Sequence, residues 1–229
     1  MHKVPFEDVI LTGDAWSSLK RETPWGQVPV LEVDGKMLAQ SRTIMAYVGR
    51  VTGLHPEDPF AAAKVDEFCD TVEECVAVCL AASFGKDVRA PAPIEQTLAA
   101  ASLRPARRLL LALRCRPDSL PAAQGEDKLA ARKRLAAPGS KLHEWLGKVD
   151  AALGANPSGF AVGDALTMAD LRAFCEFSSM VSGWYAGMPE TLLSPYSNIQ
   201  AHRVKIASLP VRPAPAAQRR SSPHRHSAR

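Results

Sequence analysis

The sequence lacks any apolar run approaching the ~20 residues that a membrane-spanning helix needs. Its first residues, Met1–Ile10, also lack the apolar core of a secretory signal peptide. Aromatic residues are scarce at 6%, whereas hydrophobic residues reach 46% with frequent alanine, which is typical of a helix-rich globular protein. We therefore expect a cytoplasmic protein.

Paired cysteines are missing as well. There are five cysteines, an odd number, and no C-x-x-C pair, so no disulfide framework is expected. Cys75 and Cys79 are spaced four residues apart on a predicted helix, but no histidine or second cysteine pair completes a tetrahedral set, so we expect no metal site. The thiols are expected to be reduced and to pack as small apolar side chains.

The net charge of +4 is unevenly distributed. Residues 211–229 contain five arginines and no acid, and residues 88–123 contain six arginines against Glu95 and Asp118. Without these two segments the chain is acidic, so the basic charge does not belong to the folded body. A nucleic-acid-binding face is therefore not expected.

The first ~60 residues predict short mixed elements. A strand is predicted at Phe6–Leu11 and a short helix at Asp14–Glu22. Asp34-Gly35 lies between two short apolar runs, Val28–Val33 and Lys36–Ala39, which is the pattern of a β-hairpin with a type I′ turn. Ser41 then stands where the N-cap of the next helix is expected.

From Pro59 onward the apolar residues follow a helical period. Helices are predicted around Val65–Leu80, Lys141–Leu153 and Asn198–Ser208. Another begins at Thr167, which has Asp170 at its third helical position and so predicts a capping box with a structural role. Two segments differ from the rest: residues 90–123 hold five prolines without a sustained amphipathic period, and the chain beyond Pro210 has few apolar residues. Two interpretations stay open for them, a surface insertion with a disordered tail, or translated non-coding sequence.

The strongest chemical signal runs from Thr23 to Ser41. A proline after Val28 can take the cis form, and a cis turn presents the N–H and C=O of the preceding residue as an edge for a peptide-like ligand. Ser41 at a helix start offers a hydroxyl and backbone N–H groups to a carboxylate, and Gln40 adds a side-chain amide. This combination suits a small, acidic, peptide-like molecule.

Together these residues resemble the glutathione-binding half of cytosolic glutathione transferases of the sigma-like class. The resemblance covers roughly residues 6–85 and 126–210, including Phe160–Asp170 and Ala201–Pro210. It implies an α+β, thioredoxin-like N-terminal domain over residues 1–54, incomplete because the first strand and helix are absent. An all-α C-terminal domain over residues 60–210 is expected to follow, with an irregular insertion at about 88–123 and a disordered basic tail at 211–229.

The resemblance also implies the roles of individual residues, with glutathione as the co-substrate and no metal. Val28-Pro29 is expected to pair with the cysteinyl backbone, with Gln27 beside it, and Gln40 with Ser41 to hold the γ-glutamyl carboxylate. Trp16 and Lys20 match the residues that hold the glycyl end, although a tryptophan alone is more often a packing residue. Asp70 and Glu74 match acids at the dimer cleft, one of which reaches the partner subunit's glutathione; a solvated helix face is the alternative.

The family's catalytic tyrosine ends the first strand, where its hydroxyl favours the thiolate of glutathione. No residue of this sequence is expected to fill that role, because Met1 falls near the start of the second strand. We therefore predict weak glutathione binding and negligible conjugation. The open alternatives are a transferase that acts on an unidentified hydrophobic electrophile as a homodimer, a non-catalytic binding or interaction protein of the same family, and a mis-spliced or fragmentary product.

Overall fold

The computed structural model describes residues 6–11, 13–84, 110–115, 126–210 and 220–221. Two compact units make up the chain. The first draws on the spans 1–52, 93–122 and 211–229, and the second on the spans 53–92 and 123–210. The first unit therefore takes chain from three separate parts of the sequence.

The first unit combines a five-stranded sheet with two helices. Its elements are β1 (Phe6–Leu11), α1 (Gly13–Leu19), β2 (Val30–Val33), β3 (Lys36–Ala39), α2 (Ser41–Thr52), β4 (Leu110–Cys115) and β5 (Arg220–Ser221). The order of the strands across the sheet is β3-β2-β4-β1-β5. Val30 is buried on one face of the sheet. On the other face, Leu31 packs with Ile44 and Val48 of α2.

The hairpin expected at Asp34-Gly35 forms as the sequence indicates. β2 and β3 are antiparallel, with Val33 paired to Lys36 and Val30 to Ala39. Asp34 has φ 51° and Gly35 has φ 76°, so both central residues of the turn occupy the left-handed region that a type I′ turn requires.

The position of β4 differs from the sequence prediction. Residues 88–123 were expected to form an irregular insertion in the helical domain, but Leu110–Cys115 forms a strand inside the sheet of the first unit. It runs parallel to β1, with Phe6 opposite Leu110, and antiparallel to β2, with Val30 opposite Leu113. The prolines on both sides obscured a short apolar run that suits a strand with neighbours on both edges. The remaining residues of that segment lie outside the described ranges.

Part of the tail was also mispredicted. Arg220-Ser221 pairs in parallel with Val9 and Ile10 of β1 at the sheet edge, although residues 211–229 were expected to be disordered. A two-residue bridge of this kind depends on backbone pairing with a distant strand, which local composition does not indicate. The other tail residues lie outside the described ranges.

The second unit consists of helices. They are α3 (Pro59–Phe84), α4 (Glu126–Leu135), α5 (Lys141–Ala155), α6 (Met168–Met180), a 3-10 turn at Glu190–Leu193, and α7 (Ser197–Ser208). α3 packs against α4, α5 and α6, and α7 packs against α5 and α6. Four cysteines, Cys69, Cys75, Cys79 and Cys175, are buried in this unit as small core residues. Within the described ranges, every helix is too short or too polar to span a membrane.

Candidate glutathione-binding edge

The Val28–Pro29 peptide bond is cis, and it lies immediately before β2 begins at Val30. Val28 is half-buried against the core around Val30, while Gln27 is exposed. The chain at this point therefore combines an exposed side chain with a backbone anchored to the sheet. A backbone edge that leads into a strand can pair with an extended peptide.

The start of α2 lies two short strands further along the chain. Gln40 has φ 71°, a left-handed conformation that is uncommon outside glycine. Its carbonyl oxygen accepts the N–H of Ile44 at 2.9 Å, so Gln40 occupies the cap position and Ser41 is the first helical residue. Ser41 was expected to be the cap itself; the structure places the cap one residue earlier because Gln40 carries the carbonyl that opens the helix.

The first turn of α2 carries no acidic residue. The first N–H groups of a helix have no carbonyl partner within the helix, and the helix dipole places positive partial charge there. Residues held in sparsely populated backbone conformations, as Gln40 is, cluster at functional sites. This helix start is therefore suited to an incoming carboxylate.

Trp16 lies in the middle of α1 and Lys20 directly follows the helix. Trp16 is half-buried and packs against Val30, so its ring has a place in the core of the first unit. The N–H of Lys20 donates to the Trp16 carbonyl at 2.9 Å, and the stem of Lys20 lies 3.6 Å from where a Cβ on Gly26 would stand. Lys20 is exposed and lies beside the loop that leads to Val28.

Asp70 and Glu74 lie in the second unit, on α3. They line a groove of about 530 Å³ between α3 and α5, with Trp145 on the α5 side and acids along the α3 side. The neighbouring Glu73 points elsewhere, because its carboxylate forms an ion pair with the guanidinium of Arg172 on α6. Asp70 and Glu74 therefore face the groove, whereas Glu73 faces α6.

Thr167 and Asp170 form a closed polar network at the start of α6. The Thr167 N–H and hydroxyl both donate to the Asp170 carboxylate, at 2.8 and 2.9 Å, as in a capping box. The other carboxylate oxygen accepts the Ala161 N–H at 2.6 Å and contacts Nε2 of His202 at 2.9 Å. Asp170 is fully buried, so this network holds a loop, a helix start and α7 together.

A second buried network was not identified from the sequence. Arg172 and Glu176 form an ion pair at 2.9 Å, with side chains only 2% and 3% exposed. Burial raises the pKa of Glu176 to about 7, with Arg172 opposing the shift and Glu73 adding to it. Burial also raises the pKa of the neighbouring thiols of Cys75 and Cys79 to about 12, so these thiols stay protonated at neutral pH. The four-residue spacing of Arg172 and Glu176 on a largely apolar helix was the available signal.

No group of three or more histidine, cysteine, aspartate or glutamate side chains that could hold a metal ion occurs among the described residues.

Comparison with known proteins shows which protein family the chain resembles. The family model of the glutathione S-transferase N-terminal domain matches residues 2–50, and that of the C-terminal domain matches residues 120–211. Glutathione S-transferase 1 of Ascaris suum is 29% identical over 207 residues, covering 90% of this chain and 81% of that protein. The hematopoietic prostaglandin D synthase of Gallus gallus is 35% identical over 86 residues, covering 38% of this chain and 43% of that protein.

Solved structures agree with the sequence matches. A monomeric glutathione S-transferase from the hookworm Necator americanus superposes with a TM-score of 0.54 at 28% identity, covering 88% of this chain and 78% of that chain. The two domain models together match more than half of the chain in the order expected. The chain belongs to the glutathione S-transferase family, with a thioredoxin-like sheet unit and an all-helical unit, and the family uses glutathione as its co-substrate.

Proposed function

We propose that this protein binds glutathione at the edge formed by Gln27, Val28-Pro29 and the start of α2. The observation that carries the proposal is the start of α2, where Gln40 adopts a left-handed conformation and the first turn contains no acid. The γ-glutamyl carboxylate would accept N–H groups of this turn and the Ser41 hydroxyl. The cysteinyl backbone would pair with the Val28 edge.

Trp16 and Lys20 are proposed to hold the glycyl end of the same molecule. Lys20 is exposed and its stem lies against Gly26, so its ammonium is available near the loop that leads to Gln27. Trp16 contributes by holding α1 against the sheet, because its ring packs on Val30. A lysine is a suitable partner for a terminal carboxylate.

Binding without efficient conjugation is the activity we propose, and we propose a sigma-like class for the chain. The strand in the interior of the sheet, Leu110–Cys115, contains no tyrosine, so it supplies no phenolic hydroxyl to favour the thiolate. An active transferase toward a hydrophobic electrophile is the competing function. We also propose a cytoplasmic location.

Calorimetric titration of the full chain with glutathione tests this proposal, with cysteinylglycine as the matched ligand that lacks the γ-glutamyl group. Heat from glutathione and none from cysteinylglycine is expected, because the α2 start recognises the missing carboxylate. Absence of binding at millimolar glutathione would overturn the proposal. Turnover of an aryl halide at ordinary transferase rates would instead favour the competing function.

A homodimer formed through the α3 face is the proposed assembly. Asp70 and Glu74 lie on that face beside the groove that contains Trp145, where an acid could meet the amine of the partner's glutathione. Because the hookworm structure is described as monomeric, the assembly needs its own measurement. Light scattering during size-exclusion chromatography is expected to give twice the 24.7 kDa chain mass, and a monomer mass would contradict it.

A further inference from the structure

We propose that Leu110–Cys115 is an inserted strand on which the glutathione-binding edge depends, and that glutathione binding and strand insertion favour each other. The strand occupies the middle of the sheet, with β1 on one side and β2 on the other. It comes from the chain between α3 and α4, far from both neighbours in sequence. The first unit therefore obtains its central strand from a segment inserted between helices of the second.

β4 has backbone pairing along both of its edges. All six residues of β1, Phe6–Leu11, are paired with β4, and all four residues of β2, Val30–Val33, are paired with its second edge. Without β4 these strands would face each other across an empty position with unpaired N–H and C=O groups. The β2-β3 hairpin alone would be marginally stable.

The register of β4 connects it to the chain next to Pro29. Leu113 of β4 pairs with Val30, the residue that directly follows the cis Val28–Pro29 bond. The backbone that is proposed to pair with glutathione is therefore anchored on the ladder that β4 completes. Without β4, the proposed binding edge would lose its backbone pairing together with the rest of the sheet.

The sequence of the segment supports a strand that arrives from elsewhere in the chain. Leu109–Leu113 is a short, unbroken apolar run, with Arg107 and Arg108 before it and Arg114, Arg116 and Pro117 after it. Such a run suits a strand with neighbours on both edges, and the flanking proline and arginines limit its length.

Thermodynamic linkage couples glutathione binding to the insertion of β4. If glutathione binds only when β4 is inserted, bound glutathione raises the inserted fraction, and insertion raises the affinity for glutathione by the same factor. This coupling rests on the proposed function, whereas the strand insertion itself does not. The two parts can therefore fail separately.

Hydrogen–deuterium exchange of the full chain tests the insertion through Ala112→Pro, which removes one interior N–H from the ladder. The matched control is Ala122→Pro, the same substitution next to Pro121 and outside β4. Ala112→Pro is expected to abolish protection in Phe6–Leu11 and Val30–Val33 while Met168–Met180 stays protected. Unchanged protection of the two strands would overturn the proposal.

The wild-type exchange pattern covers the case in which Ala112→Pro unfolds the whole chain. Leu110–Cys115 is then expected to exchange at least about tenfold more slowly than a free peptide, because its amides are in ladders on both sides. Exchange at the rate of a free peptide would overturn the insertion.

Addition of glutathione tests the coupling in the same experiment. Glutathione is expected to slow exchange in Leu110–Cys115, and Ala112→Pro is expected to weaken glutathione binding at least about tenfold relative to Ala122→Pro. Binding of equal strength in the two variants overturns the coupling. If the wild type shows the strand protection but binds no glutathione, the insertion stands and the proposed function fails.

Discussion

The start of α2 in the sheet unit differs from three helix starts in the helical unit. In the helical unit, three helix starts are occupied by aspartates of the chain itself. These contacts are Asp58 with the Ala61 N–H at 2.7 Å in α3, Asp170 with the Thr167 N–H at 2.8 Å in α6, and Asp150 with the Asn198 and Ile199 N–H groups at 2.9 Å in α7. In the sheet unit, the start of α2 has a neutral residue at its cap and no acid in its first turn.

The positive partial charge at a helix start can therefore have two uses, one structural and one in ligand binding. A helix start attracts negative charge, and a carboxylate from the chain satisfies it permanently. A helix start that carries no acid of its own keeps that attraction for a molecule from solution. Comparing the helix starts of one chain therefore indicates which is structural and which is suited to a ligand.

The largest expected effect is on stability, from Asp170→Ala, which removes the carboxylate at the start of α6. The substitution removes the acceptor for the Thr167 and Ala161 N–H groups and the partner of His202 in a fully buried site. The free energy of unfolding should fall by about 3–5 kcal/mol, since buried donors are left unpaired. Urea unfolding followed by circular dichroism measures it. Asp164→Ala, at an exposed site, is the control, and equal losses in both variants would refute the structural role.

The next effect concerns the buried carboxyl of Glu176 further along α6. Its pKa is raised from the ordinary 4.5 to about 7 in the folded protein, so the folded state holds a proton that the unfolded state releases more readily. The contribution of Glu176 to the free energy of unfolding should therefore be fully present below about pH 4.5. It should decline as the pH rises to about 7, with a slope of up to about 1.4 kcal/mol per pH unit. Glu176→Gln should flatten this decline.

Urea midpoints measured between pH 5 and pH 8 for both proteins give the result. The control is Glu144→Gln, which removes a carboxylate that is exposed between Lys141 and Lys148. The hydrogen bonds from these lysines lower the pKa of Glu144 to about 2, so it does not titrate in the measured range. A decline of the same slope in the wild type and in Glu176→Gln would show that another group is responsible.

The smallest effect is on affinity, from giving α2 the acid that the other helix starts have. Ser41→Asp places a carboxylate in the first turn, which should slightly stabilise the helix and should weaken glutathione binding by about tenfold through repulsion and competition for the same N–H groups. Calorimetric titration measures the affinity. Ser41→Asn is the matched neutral control, and glutathione affinities that agree between the two variants would remove the α2 start from the binding site.

Local signals in the sequence were sufficient for some of these features. Asp34-Gly35 specified a turn that only residues tolerant of positive φ can form, and Thr167 with Asp170 specified a cap, because each signal lies within four residues. The start of α2 was predicted one residue late, since the cap is formed by Gln40 and propensity alone favoured Ser41. Helix ends are commonly uncertain by one or two residues.

Long-range pairing could not be predicted in this way. The strand Leu110–Cys115 and the bridge at Arg220-Ser221 depend on where distant chain returns to the sheet, and neither has a turn or cap next to it that fixes the pairing. The ion pair of Arg172 and Glu176 was overlooked for a related reason: charged side chains are expected on helix surfaces and are buried only when tertiary contacts pair them.

The origin of the central strand has a consequence for the order in which the protein is made. β1 and β2 leave the ribosome long before Leu110–Cys115, so the position between them in the sheet stays empty until about half of the chain has been synthesised. Contacts between residues this far apart in sequence close slowly, because a long loop must be ordered before they form. The central part of the sheet should therefore form late in folding, although its first strand is among the first residues to be synthesised.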